Sequence, residues 1–192
     1  MKKKILILGV SGQDGRILAE LWDKRGAQIT GTTRQTDKED VIRINSILPS
    51  SVELISLDLT DLSLLIELLE AKKFDIIFHM ASQSSVGKSF ENPLENIVAP
   101  ANLTYNLLEA VRISQSDTKV ILASSTEIFG SNGNLEITEA SPKKSMSPYA
   151  VGKLNQTSIA GFYRNCYGMN ISNAYLANHE STYRGNQFVT MK

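Results

Sequence analysis

The chain has 192 residues, 42% hydrophobic and 21% charged, which suits one substantial core and excludes the composition of a disordered chain. Twenty Lys and Arg balance twenty Asp and Glu, so no net field draws in nucleic acid or an anionic membrane, and neither is an expected partner. Cys166 is the single cysteine, which rules out an internal disulfide. The basic start Met1 to Lys4 leads into an apolar run too short for a signal peptide or a span, so a cytoplasmic location is expected.

In chain order, residues 5–10 form a short apolar run that reads as a strand, followed by a glycine-rich turn and a helix over 14–25 stopped by Gly26. Strands follow over 28–33 and 52–57, a helix over 62–72, a strand over 75–80 and a helix over about 94–114. A strand over 120–125 comes next. Residues 131–147, rich in Asn, Gly, Ser, Pro and Lys, read as a surface loop. Ser147 before Pro148 is a helix start, giving a helix over 148–167, and 171–177 reads as the last strand. Most of the strands are nearly continuous in apolar residues, as strands covered on both faces tend to be. Alternating strand and helix imply right-handed crossovers and a doubly wound parallel α/β sheet of the Rossmann type. One domain, 1–192, is expected.

Three groups of residues carry chemistry. In Gly9-Val10-Ser11-Gly12-Gln13-Asp14-Gly15, glycines three apart lie between a strand and a helix. Backbone N–H groups and a helix dipole can there approach a pyrophosphate, although such a turn also uses glycine for packing alone. The second strand ends in Thr33-Arg34 with no acid. A carboxylate at that place suits a ribose 2′-hydroxyl and an arginine suits a 2′-phosphate, so NADP is favoured over NAD unless Arg34 is only a surface charge. Asp58 either meets the adenine or caps the following helix.

The third group is catalytic. If the strand over 120–125 continues, Ser125 and Glu127 project from one face at its carboxyl end. Tyr149 and Lys153, four apart near a helix start, stack on one side of that helix. An ammonium beside a phenol favours the phenolate, which is a base for an alcohol proton. Plain alcohol oxidation has no need of Glu127. A second proton transfer, such as an elimination, is its natural use.

On these segments, with Asp58-Leu59-Thr60-Asp61, Asn178-His179-Glu180-Ser181 and Arg184 to Thr190, the chain resembles the extended short-chain dehydrogenase/reductases. Within them it is similar to the GDP-mannose 4,6-dehydratase family. The resemblance implies cofactor contacts from Gly9, Gly12, Gln13, Asp14, Arg34, Asp58, Leu59, Met80, Ala81, Ser82, Gln83, Ser84, Lys153, His179 and Arg184, with Gly15 completing the glycine turn. It places Ser125, Glu127, Tyr149 and Lys153 in catalytic positions and implies NADP, GDP-mannose as substrate and a homo-oligomer. The implied reaction oxidises carbon 4 of the sugar, eliminates water across carbons 5 and 6 and returns the hydride to carbon 6. The rivals are another nucleotide-sugar dehydratase or epimerase, and a non-catalytic NADP-binding module. Four departures stand out: Ser125 for threonine, Phe129 for tyrosine, Thr182-Tyr183 for a proline-arginine pair, and Glu95 for a cofactor-contacting tyrosine. The family runs well past Lys192, so an N-terminal portion is expected, with most of the substrate domain beyond it.

Overall fold

A computed structural model describes residues 2–114, 117–131 and 136–183. Six strands, β1 (Lys4–Leu8), β2 (Gln28–Thr33), β3 (Val52–Ser56), β4 (Ile76–His79), β5 (Lys119–Ser125) and β6 (Ile171–Leu176), form one sheet in the order β3-β2-β1-β4-β5-β6. Every pairing in it is parallel. The helices are α1 (Gln13–Lys24), α2 (Lys38–Ser46), α3 (Leu62–Ala71), the single turn α4 (Val86–Ser89), α5 (Pro93–Ser114) and α6 (Pro148–Tyr167).

Strand alternation sorts the core into two layers. In β1, Ile5 and Ile7 face a cluster with Ile29, Val52, Phe78, Ala19 of α1 and Ile44 of α2. Leu6 and Leu8 face the other side, with Ile77, Val120, Leu122 and the apolar stripes of α3, α5 and α6. Burying both faces explains why the central strands β1, β4 and the middle of β5 are nearly continuous in apolar residues. The order of strands reverses between β1 and β4. In open α/β sheets the crevice at the carboxyl ends beside such a reversal is where ligands bind.

The helix signals act as expected at several ends. Ser147 Oγ accepts from the Ala150 N–H at 3.1 Å with Pro148 in the first turn, and Gly26 follows α1 at φ +70°. Inside α5, Pro100 has no N–H to offer the carbonyl of Asn96. Gly152 of α6 packs there, where a Cβ would stand 2.2 Å from that carbonyl oxygen. This close approach of α6 to α5 sets the height at which Tyr149 and Lys153 meet the sheet.

One element carried no expectation from the sequence, and one expectation needs correction. Residues 38–46 are helical, with Asp37 Oδ1 accepting from the Glu39 and Asp40 N–H groups. The 3.6-residue pattern there is blurred because Ile42 is exposed. The strand that was to carry Glu127 stops at Ser125, and Thr126–Phe129 form a 3-10 turn. The two-residue strand period therefore does not align Ser125 with Glu127. Among the described residues no helix is long and apolar enough to cross a membrane.

Candidate active site

One cleft opens at the carboxyl ends of β1, β4, β5 and β6. Its lining includes Gly9, Gly12, Gln13, Asp14 and Gly15 of the glycine turn, then Met80, Ser82 and Ser84 after β4. Ser125, Glu127, Tyr149, Lys153 and His179 complete the predicted set found there. It encloses about 160 Å³, below the roughly 300–1,000 Å³ of pockets that engulf a drug-sized ligand, so a long ligand would lie partly along open surface.

The glycines of the turn have different causes. Gly9 has φ +80°, and a Cβ on it would stand 2.8 Å from Ala81 Cα; a Cβ on Gly15 would stand 2.4 Å from the Gly9 oxygen. Packing of the protein against itself explains both. At Gly12 the nearest atom to an added Cβ is the Gly9 oxygen at 3.5 Å, an ordinary contact. The protein therefore sets no steric demand there, and the bare Cα faces the cleft. Gly12 is also the N-cap of α1 and makes no side-chain cap, which leaves first-turn N–H groups to a ligand. Gln13 Oε1 is buried without a partner. These features fit a dinucleotide pyrophosphate.

The catalytic candidates converge. Ser125 ends β5, is buried, and its Oγ accepts from the Glu127 N–H at 3.2 Å. Its hydroxyl proton remains available to donate. The 3-10 turn thus performs what a continuing strand was expected to do, holding Glu127 beside Ser125 at the cleft. Tyr149 is half-buried in the first turn of α6, and Lys153 Nζ lies 5.9 Å from its ring centroid. Lys153 is 4% exposed and donates to the Ala123 carbonyl at 2.7 Å and to Gln156 Oε1 at 3.3 Å. Burial pushes its ammonium down to about 8, opposed by the Asp14 carboxylate.

His79 ends β4 beside this group and is 3% exposed. Burial first, and the nearby Lys153 charge second, push its imidazolium down to about 3, so it is neutral at ordinary pH. Its Nδ1 is buried without a partner. Sequence reading passed over His79 because nothing in an apolar strand marks which polar residue will be sealed in. It also passed over the pairing of His179 Nε2 with Asp14 Oδ1 at 2.7 Å, between residues 165 apart. No local spacing encodes such a contact. The cleft-lining Val86, Ser124, Leu176, Ala177 and Asn178 were likewise not singled out as cofactor contacts.

Other predicted residues lie elsewhere. Arg34 is exposed just after β2, and Gln83 is exposed and bonded to its neighbour Ser85. Ala81 backs Gly9. The Leu59 side chain belongs to the core. Asp58 borders a separate shallow hollow with Thr60, Asp61, Leu62, Ser63 and Ile66. Asp58 Oδ1 accepts from the Thr60 N–H at 2.9 Å and hydroxyl at 2.8 Å, which holds its carboxyl below the usual range. The cap of α3 is Asp61, not Asp58. Glu95 is exposed in the first turn of α5, away from the cleft. Arg184 lies outside the described residues, as does the run through Thr190.

Comparison with known proteins fits this geometry. The fold is similar to that of a dTDP-glucose 4,6-dehydratase from Streptomyces venezuelae with NAD bound, at TM-score 0.83 and 22% identity over 98% of this chain and 60% of that one. It is also similar to a UDP-glucose 4-epimerase from Brucella ovis in complex with NAD, at TM-score 0.76 and 24% identity over 89% and 50%. In sequence the chain is 39% identical to a GDP-mannose 4,6-dehydratase of Yersinia enterocolitica, over 99% of this chain and 53% of that protein. It is 36% identical to GDP-mannose 4,6 dehydratase 2 of Caenorhabditis elegans, over 100% and 53%. The chain spans about half the length of these curated relatives. The family model for GDP-mannose 4,6 dehydratase matches residues 6–192, and the chain belongs to that family.

Proposed function

We propose that residues 1–192 are the dinucleotide-binding domain of an NADP-dependent enzyme that dehydrates GDP-D-mannose to GDP-4-dehydro-6-deoxy-D-mannose. The observation that carries this reading is the convergence of Ser125, Glu127, Tyr149 and Lys153 on the cleft that holds the glycine turn. Gly9, Gly12, Gln13, Asp14, Lys153 and His179 would hold the cofactor. Arg34, with no acid at the end of β2, supports NADP. Bound there, NADP supplies the acceptor and later the donor of one hydride.

The chain's own groups handle protons. Tyr149, as phenolate favoured by the Lys153 charge, takes the proton of the sugar hydroxyl at carbon 4 while Ser125 donates a hydrogen bond to that oxygen. A ketone at carbon 4 acidifies carbon 5. Glu127 removes the proton there and delivers it to the hydroxyl at carbon 6, which leaves as water. One carboxylate can serve as base and then acid because the proton it gains is the one it gives, and the proton held by Tyr149 would then pass to carbon 5 as the hydride returns to carbon 6. An epimerase has no elimination to catalyse and so no use for Glu127 in this role.

Incubation of the intact enzyme, and of residues 1–192 alone, with GDP-mannose and NADP⁺, followed by mass spectrometry of the nucleotide sugar, tests the proposal. The expected product is 18 mass units lighter, the loss of one water. Residues 1–192 alone are expected to bind NADP with little or no product, and binding of NADP by the intact enzyme without any such product would assign the cleft to a non-catalytic nucleotide module.

A further inference from the structure

Past β6 the chain doubles back across the cleft towards α1. Leu176, Ala177, Asn178 and His179 line the cleft itself. Four contacts then tie the segment to α1. Gln13 Nε2 donates to the His179 carbonyl at 3.4 Å, and His179 Nε2 pairs with Asp14 Oδ1 at 2.7 Å. The Tyr183 phenol donates to the Glu20 carboxylate, and Arg16 Cζ stands 3.7 Å from the Tyr183 ring centroid.

Gln13, Arg16 and Glu20 are spaced three and four apart, so they form one stripe along the first two turns of α1. The segment runs along this stripe, and β pairing ends at Leu176. Side-chain contacts therefore fasten it to α1, the kind of attachment that opens locally without unfolding the sheet. Tyr183 makes the outermost two of these contacts. Its ring also covers a guanidinium whose Nε is buried without a hydrogen-bond partner, so removing the ring leaves Arg16 no reason to stay folded over the segment. Tyr183 belongs to the Thr182-Tyr183 departure from the family pattern, and it meets Arg16 directly after the glycine turn.

We propose that Tyr183 is a positioning residue that fastens residues 178–183 as a strap across the cleft, and so sets how fast a dinucleotide enters and leaves. The proposal rests on the reading of the cleft as a dinucleotide site. A fastened strap obstructs passage in both directions. Loosening it raises association and dissociation rates together and leaves the affinity nearly unchanged. A contact that merely stabilised the bound state would instead raise dissociation alone.

Stopped-flow NADPH fluorescence on the wild type, Tyr183→Ala, Tyr183→Phe and Glu20→Gln separates these cases. For Tyr183→Ala both rate constants are expected to rise about tenfold with Kd within about threefold, the scale of one lost cation–π contact and one lost hydrogen bond. Tyr183→Phe and Glu20→Gln keep the ring over Arg16 and are expected to rise about threefold in both rates. Should Tyr183→Ala fail to fold, the two milder variants decide the matter. Unchanged rates, or faster dissociation with proportionate loss of affinity, overturn the strap. Failure of the wild type to bind NADPH in calorimetry overturns the underlying reading of the cleft instead, and the strap falls with it.

Discussion

Glu127 separates elimination from simple redox chemistry, so its removal is the most discriminating substitution. Glu127→Gln keeps the shape and the N–H bond to Ser125 Oγ, and is expected to leave NADP affinity unchanged while slowing dehydration about 10²–10⁴-fold. Exchange of the carbon 5 proton with solvent deuterium, followed by NMR, checks it; a variant that still exchanges at the wild-type rate clears Glu127 of the role. Lys153 carries a different cost. Its ammonium is sealed from water with two hydrogen bonds, and burial lowers it to about 8. Charging it at neutral pH costs roughly 3 kcal/mol relative to an exposed lysine. Lys153→Met is therefore expected to fold at least as stably as the wild type at pH 7 while losing turnover, measured by thermal melting beside product formation. Equal or lower activity with markedly lower stability would show that the hydrogen bonds outweigh the desolvation.

At the scale of the element, the glycine turn yields a matched pair of substitutions. Gly15→Ala forces a Cβ to within 2.4 Å of the Gly9 oxygen and 2.7 Å of Val10 Cα, so the strand and α1 must separate. A loss of about 1–3 kcal/mol is expected in urea denaturation, the usual cost of overpacking. Gly12→Ala meets only an ordinary contact and is expected to change stability by under about 1 kcal/mol, yet to abolish dinucleotide binding in calorimetry because its methyl occupies the ligand's approach. Equal binding by both variants would assign all the glycines to packing. The turn, α1, α3, α5 and α6 were legible because their glycines, caps and apolar spacing are local. The helix over Lys38–Ser46 was not, although Asp37 caps it, because the exposed Ile42 spoils the one-face pattern that marks a buried helix.

For the whole molecule, buried titratable groups set the pH range of the fold. His79 binds a proton near pH 6.5 when unfolded and only near pH 3 when folded. Its contribution is present above pH 6.5 and is lost as pH falls towards 3. Acid should therefore destabilise the protein with a His79 component of up to one proton, about 1.4 kcal/mol per pH unit across that window. Urea titrations at several pH values check this, and His79→Asn is expected to flatten the slope by that proton. Lys153 acts in the same sense at higher pH, adding stability as pH rises from about 8 towards 10.5. Tyr163 opposes it. Burial and the Glu109 carboxylate raise its phenol above the ordinary range, so its contribution is present at neutral pH and fades in stronger alkali. A stability maximum on the alkaline side of neutrality follows.

The amino-acid order by itself determined the parallel α/β class, four of the six helices, all six strands, and the residue types of the site. Those features rest on short-range physics: apolar runs, helical spacing, a glycine turn and the Ser147-Pro148 start. Tertiary structure decided where the parts meet. Ser125 and Glu127 share the cleft through a 3-10 turn rather than a strand, and His179 reaches Asp14 across 165 residues. His79 is polar in sequence but sealed by neighbouring strands and helices. Such contacts depend on how whole elements stack, and burial, which shifts protonation, arises only once the layers close.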